Sequence, residues 1–520
     1  MRSRTVLAFA LIAGTGPGGQ AQARRPVRLV LAIAIDQFRP DYLDRWKHQF
    51  TGGLAMLLHD GVFYPHGEQD HAITETAPGH ATMMSGRSPS SVGIVTNDLG
   101  VPDASMPLLG SNAVGASPRR FLGTTLLDWM TSRDPNTRSL SVSPKDRGAI
   151  LPIGRSTTPV FWFSLGHFTT SRYYADTLPT WVTAWNAHEP VSALRGTWWN
   201  LVRADSCYAE PDDRPYEHGG KDYLFPHRIV ADSVKALTAV VDYPVMDSLT
   251  LDFAIHGVRA LQLGKRNGVD FLSISLSTTD AVGHAYGPGS REIHDQVLHV
   301  DRWLGTFFDS LNQVIPLDQV IISVTADHGV TEFPAAGKGG NANLSPMVAA
   351  INRTARDAGV TDLRAIADQG LIYGNFKSLA ALGVDIDSLA DAKAAEIAKL
   401  PGVKHVYTHK TLAAARRSDI DAMRWRRELP GDFPWLIAAI AKPDFIFASS
   451  DASAGHGTTN LDDVRVPILF RVPGVAAIRI ERIVRTIDIA PTLAALLGLK
   501  PTQKLEGIAL REVFSRVKPK

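Results

Sequence analysis

Three apolar runs, each closed by an aspartate, constrain this chain more than any other feature. Residues 29–36 read Leu-Val-Leu-Ala-Ile-Ala-Ile-Asp, residues 271–280 Phe-Leu-Ser-Ile-Ser-Leu-Ser-Thr-Thr-Asp, and residues 320–327 Val-Ile-Ile-Ser-Val-Thr-Ala-Asp. Runs rich in Ile, Val and Leu without strict alternation suit strands covered on both faces, as in a parallel sheet under helices. Open α/β sheets place their chemistry just beyond the carboxyl ends of such strands. Asp36, Asp280 and Asp327 are therefore expected at one sheet edge. His284 follows Asp280 by four residues and His328 follows Asp327 directly, so this edge reads as a metal centre. The expected fold is α/β, a mostly parallel central sheet flanked by helices.

The rest of the chain alternates strand-like and helix-like segments. Residues 290–314 read as a helix: Ser290 is a plausible N-cap, and Ile293, Val297, Val300, Leu304, Phe308 and Leu311 recur on one face. Lying between the Asp280 and Asp327 runs, it predicts a right-handed βαβ unit. A second unit is expected from Val466-Pro-Ile-Leu-Phe470 to a helix that has Pro491 in its first turn and Gly498 at its end. Residues 345–430 lack the strand-to-aspartate pattern and contain Ala-rich helices such as 388–398. They read as an inserted smaller α/β subdomain between core segments 24–344 and 431–520. The basic run Arg416, Arg417, Arg424, Arg426 and Arg427, broken by Asp419, Asp421 and Glu428, is expected to be a solvated helix face.

Residues 1–23 read as a secretory signal peptide: Arg2 and Arg4, an apolar stretch from Val6 to Ala13, then Ala21-Gln-Ala23. The stretch is too short to span a bilayer. Export to the periplasm or medium follows as the expectation. A formal net charge of +2 gives no global field toward nucleic acid or an anionic membrane. Cys207 is the only cysteine, so no intrachain disulfide forms.

His456, in Ala454-Gly-His456-Gly-Thr, completes a set of three aspartates and three histidines with Asp36, Asp280, His284, Asp327 and His328. That donor mixture suits zinc better than magnesium, which prefers oxygen ligands and retained waters. Thr76, in Thr76-Ala-Pro78-Gly79-His80, lies at the opening of a predicted helix, where its hydroxyl meets the positive end of the helix dipole. Metal coordination would turn this poor nucleophile into an alkoxide source. Taken singly, each residue has a structural reading: Thr76 as a helix cap, a lone Asp likewise, a lone His as a hydrogen-bonded core residue. His80 reads as structural, and Thr82 lies too far inside the helix to act.

Together these motifs resemble the alkaline phosphatase superfamily, in its branch of type I phosphodiesterases and nucleotide pyrophosphatases. The resemblance rests on Thr76-Ala-Pro-Gly-His80, Gly93-Ile-Val-Thr-Asn97, Asp280-Ala-Val-Gly-His284, Asp327-His-Gly329 and Gly455-His-Gly457, in the family's order. It implies two zinc ions, one held by Asp280, His284 and His456, the other by Asp36, Asp327, His328 and the Thr76 oxygen. It also implies that Asn97 donates to a phosphoryl oxygen. Without the resemblance Asn97 reads as a turn residue, and Lys145 and Arg147 as a surface pair around Asp146. The segment Ser143-Pro-Lys145-Asp-Arg147 is similar to that of the phosphate-irrepressible alkaline phosphatases, where such a pair neutralises phosphoryl oxygens. In an extended segment Lys145 and Arg147 share one side. The Thr169-Thr-Ser-Arg-Tyr-Tyr174 segment is expected to line the site.

The implied function is a two-zinc, exported alkaline phosphatase acting on small phosphate monoesters through a phosphothreonine. It is expected to be monomeric, with neither nucleic acid nor membrane as a partner. The alternative is a phosphodiesterase or nucleotide pyrophosphatase on the same scaffold. A catalytically silent metal-binding protein is disfavoured by the full ligand set.

Overall fold

The computed structural model describes residues 26–333, 336, 339–448 and 454–514; the expected signal peptide lies outside them. Within these residues the aspartate-ended runs form adjacent parallel strands, in the spatial order Val320–Thr325, Leu29–Ile35, Asp270–Leu276. Ile33 lies opposite Ile274 on one side and Val324 on the other, so the strands end level. Leu29, Leu31, Ile33 and Ile35 enter one core while Val30, Ala32 and Ala34 enter the other. Burial of both faces is why these runs show no polar alternation.

Strands Ser139–Ser143 and Val160–Ser164 extend the parallel sheet beyond Asp270–Leu276. The helix Arg291–Val314 begins as expected, with Ser290 Oγ accepting from Ile293 N at 3.0 Å. Its crossover joins two strands that have Leu29–Ile35 between them. The second βαβ unit is not formed. Arg465–Arg471 runs antiparallel to both Val320–Thr325 and Val62–Glu68, although the helix Ile489–Leu497 and its left-handed Gly498 cap are present. An apolar strand looks the same in either direction, so its pattern carried no sign of this.

A separate four-stranded antiparallel sheet has the order Ile366–Asp368, Leu371–Tyr373, Trp435–Ala441, Val403–Tyr407, with its own apolar cluster. The chain reaches it through Gly340–Asn341 and leaves through Phe445–Ile446, which pair side by side. The expected boundaries 345–430 therefore stop short. Trp435–Ala441 is buried throughout, and its sequence is indistinguishable from that of a strand of the main sheet.

The basic run is a solvated face only in part: Arg416 and Arg417 are exposed, but the helix that follows is packed. Within the helix Ile420–Glu428, Trp425 is buried and Arg424, 5% exposed, pairs with Glu68 at 2.9 Å; Arg427 pairs with Asp70 at 2.6 Å. Glu428 is fully buried, its Oε2 accepting from Ala72 N at 3.0 Å and Ile73 N at 2.8 Å. These partners lie more than three hundred residues upstream, where local charge patterning cannot reveal them.

Candidate active site

Asp36 follows its strand directly, and Asp327 lies two residues past the end of its own. Asp280 occupies the first turn of the helix Thr278–Tyr286, with His284 one turn later. His284 Nε2 lies 3.3 Å from Asp280 Oδ1 and 3.1 Å from His456 Nε2; His328 Nε2 lies 3.3 Å from Asp36 Oδ1 and 3.7 Å from Asp327 Oδ2. Each histidine gives its Nδ1 to a backbone carbonyl: His284 to Ala454 at 2.8 Å, His456 to Thr74 at 2.7 Å, His328 to Gly329 at 3.0 Å. A carbonyl only accepts, so Nδ1 carries the proton and each Nε2 lone pair points into the cluster.

The electrostatics suit a bound cation. Asp36 Oδ1, Asp327 Oδ2 and His328 Nε2 are buried without a hydrogen-bond partner. Burial, then the charges of Asp280 and Asp327, push the Asp36 carboxyl well above its usual range. Burial shifts His328 and His456 downward, toward the neutral form in which imidazole binds metal, whereas at His284 burial is outweighed by the Asp280 carboxylate and the shift is upward. For Asp280, burial acts upward but is outweighed by Lys145 and His284, and the net shift is strongly downward. Asp280, His328 and His456 converge closely enough to hold one ion, and Asp36, Asp327 and His328 another. His284 joins the first group through the contacts above.

Thr76 opens the helix Thr76–Met83 and is 1% exposed; Glu75, not Thr76, is the N-cap residue. Gly79 lies so close to Asp327 that a Cβ there would stand 2.3 Å from the Asp327 carbonyl oxygen. The missing side chain lets the first helical turn lie against a candidate metal ligand. His80 bonds Thr76 O at 2.9 Å and Ser275 Oγ at 3.0 Å, as a structural residue does. Asn97 Oδ1 accepts from Ala77 N at 2.9 Å, in the first turn of that helix.

Lys145 Nζ bridges Asp36 Oδ2 at 2.5 Å and Asp280 Oδ2 at 2.6 Å, tying together one carboxylate from each group. Burial opposes its charge, but the two aspartates win and raise its pKa. The expected extended geometry holds only in part. Lys145 is extended, whereas Arg147 lies in the first turn of the helix Asp146–Ile150. Arg147 Nε is buried without a partner, and its charge is felt at Lys145. A cavity of about 680 Å³ opens beside Lys145, Asp280 and His284, walled by Ala281, Ala285, Tyr243 and Tyr286. The Thr169–Tyr174 segment does not contribute to that wall: Thr169 bonds Leu109 O, Ser171 bonds Ala116 O, and Tyr173 bonds Arg155 O.

Gln37 was missed by sequence reasoning. Its backbone N–H donates to Asp327 Oδ1 at 3.1 Å and its Nε2 to Asp280 Oδ1 at 2.8 Å, from a left-handed backbone with φ 60°. Its place directly after Asp36 was the only signal. Glu75, Asp368 and Gln369 were missed too. Gln369 Nε2 donates to Glu75 Oε1 at 3.1 Å, while burial and then the Glu75 charge push the Asp368 carboxyl up to about 8. No local pattern joins residues nearly three hundred positions apart.

Comparison with known proteins agrees with this geometry. The family model described as type I phosphodiesterase / nucleotide pyrophosphatase matches residues 30–462. The chain is 30% identical to alkaline phosphatase PafA of Elizabethkingia meningoseptica, over 94% of this chain and 95% of that one. It is 31% identical to alkaline phosphatase PhoV of Synechococcus elongatus, over 91% and 90% respectively. A crystal structure of wild-type PafA superposes with a TM-score of 0.87 at 28% identity, covering 95% of this chain and all of that one. With the family model running from the Asp36 strand past the His456 loop, the chain belongs to the type I phosphodiesterase/nucleotide pyrophosphatase family.

Proposed function

We propose that this protein is an exported alkaline phosphatase that hydrolyses phosphate monoesters, with Thr76 as nucleophile and two zinc ions as cofactors. Support comes from alkaline phosphatase relatives matched along nearly the whole chain. It comes also from a cluster of carboxylates and imidazoles with orphaned buried ligand atoms. This mixed nitrogen and oxygen donor set fits zinc, with Asp280, His284 and His456 as one set of ligands and Asp36, Asp327, His328 and Thr76 as the other. Zinc bound there would lower the pKa of a coordinated hydroxyl and offset phosphoryl charge.

In the reaction we propose, Thr76 Oγ1 attacks phosphorus in line as the ester oxygen leaves. The phosphothreonine formed is then hydrolysed to inorganic phosphate and free Thr76. The Asn97 amide donates to one of the phosphoryl oxygens. Lys145 and Arg147 supply fixed positive charge, which is most of what phosphoryl transfer asks of a protein.

The observation that carries the monoester reading is the match to alkaline phosphatases over 94% and 91% of the chain, and Lys145 beside Asp36 and Asp280 brings a cation to the same site. A monoester dianion has charge to engage an added cation, whereas a diester carries one negative charge and a second bulky substituent. The family model's description favours diester cleavage as the second reading. Comparing kcat/KM for nitrophenyl phosphate and bis-nitrophenyl phosphate separates the two: preference for the monoester is expected, and preference for the diester overturns this reading. No helix among the described residues is long and apolar enough to cross a membrane.

A further inference from the structure

The antiparallel strands Ile366–Asp368 and Leu371–Tyr373 are joined by Gln369 and Gly370. Gln369 sits at the tip with left-handed backbone, φ 49°. A non-glycine residue in that region is uncommon and costs energy, so something must fix it there. Its side chain is aimed away from its own sheet, toward the active site. Nε2 donates to Glu75 Oε1 at 3.1 Å, and Oε1 is buried without a partner. The opposite wall is Gly457, beside the metal-ligand candidate His456. A Cβ on Gly457 would lie 2.1 Å from Gln369 Cδ, and Gly457 itself has φ 99°. Only a glycine leaves room for this amide.

Glu75 is the hub of the arrangement. It is 4% exposed and immediately precedes Thr76. Its second oxygen, Oε2, accepts from Asn97 N at 2.9 Å, and the Asn97 side chain in turn caps Ala77 N at 2.9 Å. One continuous set of hydrogen bonds thus runs from the tip of the smaller sheet, through Glu75, to Asn97 and the opening of the Thr76 helix. Gln369 and the Asn97 N–H hold the two carboxylate oxygens of Glu75, and the Asp368 carboxyl hydrogen-bonds the same group, so losing Gln369 removes one of three restraints on its orientation.

We propose that Gln369 is a positioning residue: it fixes the Glu75 carboxylate, and through it places Asn97 and the first turn of the Thr76 helix against the phosphoryl group. This gives the smaller sheet a part in catalysis without any contact with substrate. The inference rests on the phosphatase reading and on the role given there to Asn97.

The test is a double-mutant cycle on the full-length protein with nitrophenyl phosphate, together with urea midpoints. Gln369→Ala is expected to lower kcat/KM by roughly tenfold to a hundredfold, the scale of a displaced catalytic group. Gln369→Asn suits left-handed backbone but is one methylene short of Glu75, so it should lose comparable activity with its urea midpoint preserved. Because Gln369 acts through Asn97, Gln369→Ala in an Asn97→Ala background should cost no more than about twofold. Full multiplicative losses, or a Gln369→Asn variant as active as wild type, overturn the proposal. Absence of turnover by the wild type overturns the phosphatase reading itself, and this inference with it.

Discussion

Gly283 and Gln37 approach so closely that a Cβ on Gly283 would lie 1.8 Å from Gln37 Oε1. That clearance lets the Gln37 amide reach Asp280, while its backbone N–H holds Asp327. One residue thereby orients a carboxylate from each proposed zinc site. Gly283→Ala should displace the amide and weaken metal retention or activity by roughly tenfold to a hundredfold, as loss of an outer hydrogen bond to a metal ligand does. Metal content per chain after dialysis against a mild chelator reads this directly. Retention equal to wild type would show that Gln37 does not orient the ligands.

Lys145 and Arg147 give a prediction about substrate charge. Replacing both by alanine should reduce monoester kcat/KM by at least roughly a hundredfold, the scale of losing a transition-state charge partner. Diester kcat/KM should fall much less. Equal losses on the two esters would contradict the role given to the pair.

Glu428 carries a stability prediction. It is fully buried, and its Oε2 accepts from the Ala72 and Ile73 amides and faces His71 Nδ1 at 3.0 Å. Glu428→Ala strands these donors away from water and should destabilise the fold by about 3 kcal/mol. A urea titration measures it. A midpoint unchanged from wild type would mean that the Ile420–Glu428 helix does not anchor this segment.

How much of this was legible in the chain followed from the range of the interactions. The strands that lead to Asp36, Asp280 and Asp327 announced themselves because burial on both faces is written into consecutive residues. The Asp280–His284 spacing is one helical turn, again a local matter. Gln369 with Glu75, and Arg424 with Glu68, are contacts made by topology between distant segments, and neither member of either pair is unusual where it stands. Lys145 lay between the two cases. Its neighbourhood with Arg147 was visible, but its bridge between two aspartates depends on which strands lie side by side.

Glu217 predicts a pH dependence of stability. It is 1% exposed and neither carboxylate oxygen has a hydrogen-bond partner. Burial, then the charge of Glu292, push its pKa from 4.5 up to about 9. The folded state thus keeps a proton that the unfolded state has released. The stabilisation is complete below the unfolded pKa and is lost as pH rises toward the folded one, at about 1.4 kcal/mol per pH unit. Between about pH 6 and about pH 8, wild type should lose roughly 2–3 kcal/mol more than Glu217→Gln. Parallel changes in the two urea midpoints would contradict the assignment.

The most direct test of the account compares wild type with Thr76→Ala, measuring zinc per chain and nitrophenyl phosphate turnover on the same preparations. Thr76→Ala should lose at least roughly a thousandfold in kcat/KM while its aspartates and histidines keep zinc at close to the wild-type level. A Thr76→Ala protein that turned over the ester as fast as wild type would contradict the account at its centre.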